Sequence, residues 1–253
     1  ESKATLVYSR LAKRLRALGL SSFRDYCALV SESSGLDERQ KMLSALTTNV
    51  TRFFREPHHF DHLRTQVLPP LLAKARGGGR VRLWSAACST GQEAYCMAMT
   101  VLALAPDAMR LDVKILATDI DPVVIREASE GVYGETAMAG LSAEQRERWF
   151  DPLSDGGRKA WTAGEAVRSL ISFREMNLIG DWPMSGRFDA IFCRNVVIYF
   201  EDETQERVWA RFPPRLTPGG MLYIGHSERV IGPAATLLTP AGVTAYRMTG
   251  AIA

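Results

Sequence analysis

From Arg80 onward the chain alternates short apolar runs with helical stretches. This alternation restricts the fold to a parallel sheet with helices on both faces. Val81–Ala86 reads as a strand, 92–105 as a helix and 111–117 as a second strand. Phe188–Cys193 is a further strand, 204–216 a helix, and 221–226 another strand after the Pro218-Gly219-Gly220 turn. Right-handed crossovers between such strands place the loops that follow them on one edge, where ligands bind. The expected class is α/β, a Rossmann-like doubly wound sheet.

The first 47 residues obey another period. Leu6, Leu11, Leu15 and Leu18 recur at helical spacing over 5–18, and Gly19 is a plausible stop. Segments 22–32 and 37–47 read as two more short helices. The expected organisation is therefore a small N-terminal helical domain (1–47), a linker and connecting helix (48–79) and the main domain (80–253). The connecting helix is placed at 58–75, before the break Arg76-Gly77-Gly78-Gly79-Arg80. Within the main domain, 130–176 interrupts the rhythm, with candidate strands at 159–162 and 169–173, and reads as an inserted small β-subdomain. Residues 236–248 suit a closing antiparallel hairpin. Pro213-Pro214 should end the 204–216 helix early.

Composition excludes some classes. Of 253 residues, 46% are hydrophobic and 23% charged, the balance of a soluble globular chain. No apolar run approaches the roughly 20 residues that span a bilayer. The first residues lack a signal peptide's apolar core, so a cytoplasmic setting is expected. Glu1 is not a natural initiator, and a trimmed chain is expected. Cys27, Cys88, Cys96 and Cys193 form no CxxC pair and fit no zinc spacing, so free thiols are expected. His58, His59 and His62 cluster, but HHxxH differs from HExxH and lacks a third ligand. Helix capping or packing is the plainer reading, and no metal is expected.

The formal net charge is +3, and the first 30 residues hold six basic side chains against two acidic ones, +4. An acidic partner suits that end. Arg10, Lys13, Arg14 and Arg16 are the candidate docking residues, with the first three inside one helical turn. A plain solvated helix face is the alternative. The patch is small and lacks interleaved aromatics, so no nucleic acid is expected.

Three strand ends carry the candidate chemistry. After the first strand comes Trp84-Ser-Ala-Ala-Cys-Ser-Thr-Gly-Gln-Glu93, whose small residues let the backbone approach a ligand at a helix N-terminus. It is not GxGxxG, which weakens a dinucleotide reading. The second strand ends at Asp119, with Asp121 before Pro122. One of these carboxylates suits ribose hydroxyls and the other a helix cap. Asp119 is assigned to ribose and Asp121 to the cap, although the reverse stays open. At the Phe188–Cys193 strand end, Arg194, Asn195 and Tyr199 stand where an apolar strand leaves the sheet. A structural ion pair is the alternative for Arg194, and plain packing for Tyr199.

These segments together resemble the chemotaxis receptor glutamate O-methyltransferase family, CheR. The resemblance runs through TNVTRFFRE (48–56), SAACSTGQE (85–93), TDID (118–121), CRNVVIYF (193–200) and PGG (218–220) leading to GHSE (225–228). Five such segments stand in order, and the resemblance covers nearly the whole chain. The resemblance implies an S-adenosylmethionine cofactor, with S-adenosylhomocysteine as product. It implies that Asn49, Thr51 and Arg55 approach the cofactor, with Arg55 gripping its carboxylate in a charge-assisted fork. Glu93 would face the α-amino group, Asp119 the ribose, and Asn177 and Leu178 the adenine. Arg194 and Asn195 would line the methionine end, and Tyr199 would stand near the transferring methyl, making Tyr199 and Arg55 the catalytic candidates. Ala94 departs from the family, which usually has Pro there, and the N-terminal helical domain is shorter by one or two helices.

The implied reaction is methyl transfer to a glutamate γ-carboxylate on the cytoplasmic helices of a methyl-accepting chemotaxis receptor, by a monomeric enzyme. Glutamate ionises near pH 4.3, so no general base is required. Two alternatives stand beside it: a methyltransferase acting on RNA or a small molecule, and a non-catalytic S-adenosylmethionine-binding sensor.

Overall fold

The N-terminal leucine spacing gives three helices in the computed structural model, which describes residues 3–155 and 158–249. They are α1 (Lys3–Ala17), α2 (Phe23–Ser31) and α3 (Leu36–Leu46). Leu11 and Leu15 pack with Tyr26 in a small core of their own. Beside this core Glu38 is 6% exposed. It accepts two hydrogen bonds from Arg14, at 2.9 and 2.7 Å, and one from the Tyr26 hydroxyl at 3.0 Å. A carboxylate this buried needs such partners, and Arg14 holds it below its ordinary range.

The next segment makes α4 (Pro57–His62) and α5 (Leu68–Arg76), joined through a wider π-type turn at Leu63–Val67. Then come β1 (Val81–Ala86), α6 (Gln92–Leu104), β2 (Val113–Asp119) and α7 (Pro122–Glu130). A three-stranded insertion follows, built from β3 (Val132–Gly134), α8 (Ala143–Trp149), β4 (Phe150–Asp155) and β5 (Arg158–Ala163). The chain continues through α9 (Glu165–Arg168), β6 (Ile171–Glu175), β7 (Phe188–Cys193) and α10 (Asp202–Arg211). It closes with β8 (Leu216–Ile224) and the hairpin of β9 (Leu238–Gly242) and β10 (Ala245–Met248). As the two prolines require, α10 stops before Pro213, and a 3-10 turn covers Pro213–Arg215.

The main sheet runs β6-β2-β1-β7-β8-β10-β9. Its first five strands are parallel, and the terminal hairpin is antiparallel. Alternation along β1 sends Val81 and Leu83 into one core and Trp84 and Ala86 into the other. The doubly wound expectation holds. One detail differs. The stretch at 169–173 was expected inside the inserted subdomain, but β6 pairs in parallel with β2, Ile115 opposite Ile171. Only β3, β5 and β4 form the separate small sheet. Among the described residues no helix is long and apolar enough to cross a membrane.

The chain leaves β1 toward β2 and β6, then returns to place β7 on the other side of β1. That reversal opens a crevice beyond the strand ends, the usual ligand position in such sheets.

Candidate functional site

A cavity of about 520 Å3 fills this crevice. Its floor begins where β1 turns into α6. The backbone passes through left-handed conformations at Ala87 (φ 63°), Ser89 (φ 50°) and Gly91 (φ 91°). Such conformations are costly for residues with a Cβ and easy for glycine. Gly91 has a second constraint: a Cβ there would lie 2.9 Å from Cβ of Ala128 in α7.

The turn is tied to the end of β2. Ser89 N–H donates to Asp119 Oδ2 at 2.8 Å, and Asp121 N–H donates to Asp119 Oδ1 at 3.1 Å. Asp119 lines the cavity, and burial pushes its carboxyl up. Asp121 has the capping position: its Oδ1 accepts the Val123 N–H at 2.9 Å. Asp121 also accepts from Ser44 (2.7 Å), Thr47 (3.3 Å) and the Asn49 amide (3.2 Å), which joins α3 and the junction to the sheet edge.

On the β7 side, Arg194 is almost fully buried. It donates to Glu93 Oε2 at 2.9 Å, pairs with Glu56 at 3.2 Å and hydrogen-bonds the Arg55 carbonyl. Glu93 also accepts from Ser85 at 2.7 Å. Burial raises the Glu93 carboxyl, Arg194 and Ser85 pull it down, and the net direction is upward. A cationic group brought against it would favour the ionised form.

Thr51, Arg55, Asn177, Leu178, Asn195 and Tyr199 also line the cavity. Arg55 is half-buried and donates one guanidinium nitrogen to the Val50 carbonyl at 3.0 Å. Leu178 is buried, and its carbonyl accepts from Trp182 at 3.1 Å. Tyr199 is 53% exposed, in the 3-10 turn Val197–Tyr199. A guanidinium, two carboxylates and apolar walls suit an amino acid joined to a nucleoside: Arg55 for a carboxylate, Glu93 for an ammonium, Asp119 for hydroxyls, Ile120 and Leu178 for a base.

The family models decide between such ligands. The CheR methyltransferase SAM binding domain matches residues 49–245, and the CheR methyltransferase all-alpha domain matches residues 1–47. This chain belongs to the CheR methyltransferase family. It is similar to a probable chemotaxis protein methyltransferase of Rhizobium etli, 54% identical over 98% of this chain and 93% of that protein. Chemotaxis protein methyltransferase 2 of Pseudomonas aeruginosa is 43% identical over 97% of this chain and 85% of its own. The chemotaxis protein methyltransferase of Escherichia coli is 39% identical over 90% and 77%. The chain is thus an S-adenosylmethionine-dependent methyltransferase, and the donor set of the cavity fits that cofactor.

Within this CheR site, some side chains do something other than expected. Arg194 lines the cavity as expected, but its guanidinium is engaged by Glu56 and Glu93, the ion pair that stood as its alternative. Asn49 borders the cavity, but its amide is turned to Asp121 and Thr47. Of the proposed docking residues, Arg14 is bound to Glu38, and Arg10 donates to Leu46, Thr47 and Thr48 at the end of α3. Lys13 and Arg16 are exposed.

Two acidic residues were not anticipated. Glu56, in a left-handed conformation (φ 56°), faces Arg194, His226 (3.0 Å) and His59 (3.5 Å). Burial alone would raise its carboxyl, but Arg194 and His226 bring it down to about 2. Glu228 accepts four backbone N–H groups between the β7 and β8 ends. The only sequence signal for either was membership of a motif. His59 hydrogen-bonds Thr244 at 2.8 Å, and burial pushes it down to about 3; His62 bonds the Tyr223 hydroxyl at 2.8 Å. Both tie α4 to the sheet. Glu56, His58 and His59 do gather their ligand atoms within 4.8 Å, around a carboxylate that Arg194 already engages.

Proposed function

We propose that this chain esterifies glutamate γ-carboxylates on the cytoplasmic helices of a chemotaxis receptor. The observation that carries this reading is a cavity whose mouth holds Tyr199 and whose described lining contains no histidine. The one lining thiol, Cys88, is pushed well up by burial. Such a site suits a nucleophile that arrives already ionised, and a glutamate carboxylate does so at neutral pH. The names of the relatives favour a chemotaxis substrate.

When bound, S-adenosylmethionine supplies a methyl group on a sulfonium. Arg55 forks the cofactor's carboxylate and Glu93 faces its ammonium, with Arg194 holding Glu93 in place. Asp119 takes the ribose hydroxyls, and Asn177 and Leu178 border the adenine. Thr51 and Asn195 complete the methionine end. Tyr199 positions the incoming carboxylate. Transfer would consume one positive and one negative charge, so exclusion of water from around Tyr199 would favour it. The exposed Lys13 and Arg16 offer charge to an acidic helix, and a monomer in the cytoplasm suits that task.

The test is transfer of labelled methyl to a purified receptor cytoplasmic domain, beside the same domain with its candidate glutamates changed to alanine. Base-labile label on the first alone supports the reading. Label on neither, with cofactor bound, refutes it for that receptor, and label on RNA instead would replace it.

A further inference from the structure

We propose that Glu228 is a positioning residue for methyl transfer, a carboxylate clamp that fixes the turn carrying Tyr199. The proposal rests on the reading of Tyr199 given above. Strands β7 and β8 end side by side, Cys193 opposite Ile224. Just beyond them lies Glu228, 5% exposed. Its Oε1 accepts the N–H groups of Val196 (2.9 Å) and Val197 (2.8 Å). Its Oε2 accepts those of Asn195 (2.9 Å) and Gly225 (2.6 Å).

Successive backbone N–H groups that converge in this way form an anion-binding concavity. Here the chain fills the concavity with its own carboxylate. Asn195 enters it in a left-handed conformation (φ 58°), which asparagine tolerates better than most residues. Gly225 must be small: a Cβ there would lie 2.4 Å from Asn195 Nδ2 and 2.8 Å from Asn195 N.

The 3-10 turn Val197–Tyr199 starts at this concavity, and Tyr199 N–H donates to the Val196 carbonyl at 3.2 Å. The Tyr199 side chain is exposed and belongs to neither core of the sheet. Its position therefore follows the turn backbone, and the turn backbone follows Glu228. Apart from Asn195, the cofactor end is held by other groups: Asp119 by the Ser89 and Asp121 N–H groups, Glu93 by Ser85 and Arg194. Loss of the clamp loosens the transferring end and, among the groups at the cofactor end, Asn195 alone.

Two variants test this. Glu228→Gln keeps the size but turns an NH2 group toward two of the N–H donors. Glu228→Asp keeps the charge on a shorter arm. In Glu228→Gln, kcat for receptor methylation should fall about 10-fold or more, and less in Glu228→Asp. The Kd for S-adenosylmethionine, measured by calorimetry, should move less than about 3-fold. Amide hydrogen exchange should accelerate over 195–199 and not over 81–86. Adding Tyr199→Phe to Glu228→Gln should reduce kcat by less than the product of the two single effects. Unchanged exchange over 195–199, cofactor affinity falling in step with kcat, or full additivity with Tyr199→Phe would each overturn the proposal. Exchange needs no substrate, so a wild-type enzyme that methylates no receptor would sink the reading of the site while the clamp is still judged. Should Glu228→Gln not fold, Glu228→Asp is held to the same criteria.

Discussion

At the residue scale, the candidate site separates groups that face the cavity from groups that hold them. Arg55 faces it, with one donor engaged by Val50. Arg55→Ala should weaken S-adenosylmethionine binding about 10- to 100-fold, since a charge-assisted hydrogen bond contributes roughly 1.5–3 kcal/mol. Calorimetry would detect this, and unchanged affinity would remove Arg55 from the cofactor. Tyr199→Phe should do the opposite, lowering kcat by about 10-fold with little change in cofactor affinity. Glu56 belongs to the holding set. Its carboxyl is brought from 4.5 to about 2, so its stabilisation is fully present above about pH 4.5. That contribution is lost as pH falls from there through about 2. Glu56→Gln should therefore cost about 3 kcal/mol at pH 7, because it leaves Arg194 partly unpaired in a buried place. In urea unfolding the gap between wild type and variant should close as the buffer is taken from pH 4.5 to 2. A gap that stays constant over that window would show that the ion pair is not its source.

At the element scale, Asp121 does two jobs. It caps α7 and receives Ser44, Thr47 and Asn49 from the α3 end and junction. Asp121→Ala removes the cap, about 1 kcal/mol, and orphans several donors, so a total loss of about 2–4 kcal/mol is expected. Thermal unfolding checks this, and Asp121→Asn should recover part of the loss. The cap was legible because Asp before Pro at a strand-to-helix turn has a local meaning. The strands were legible for a similar reason: apolar runs bounded by Gly and Pro say what they are without long-range information. Strand β6 was recognised, but its sheet was not. Ile171-Ser-Phe-Arg-Glu175 alternates like any half-covered strand, and only its pairing with β2 decides where it belongs. Asp119 could be singled out because a strand end announces itself, whereas Glu93 came only with the family resemblance. The roles of Glu56 and Glu228 could not be singled out, and for Arg194 the ion pair stood only as the alternative. Each depends on partners brought from distant segments, and for Glu228 on backbone N–H groups that carry no residue-specific signal.

At the scale of the whole molecule, the four candidate docking residues of the first helix divide into two pairs. Arg10 and Arg14 hold the helical segment together, through the α3 end and Glu38. Lys13 and Arg16 remain exposed to solvent. Of the four, this second pair is the one open to an approaching acidic helix. Exposed charges steer association and are screened within about 8 Å at physiological salt. Replacing Lys13 and Arg16 together by alanine should therefore raise the KM for receptor several-fold at low salt, with that difference shrinking as salt rises. Cofactor affinity and melting temperature should stay unchanged. Arg14→Ala should behave differently, lowering the melting temperature because Glu38 is left buried without its cation. If Lys13 and Arg16 have no effect at any salt while receptor methylation proceeds, the substrate docks elsewhere, and the basic face of α1 is only a solvated surface.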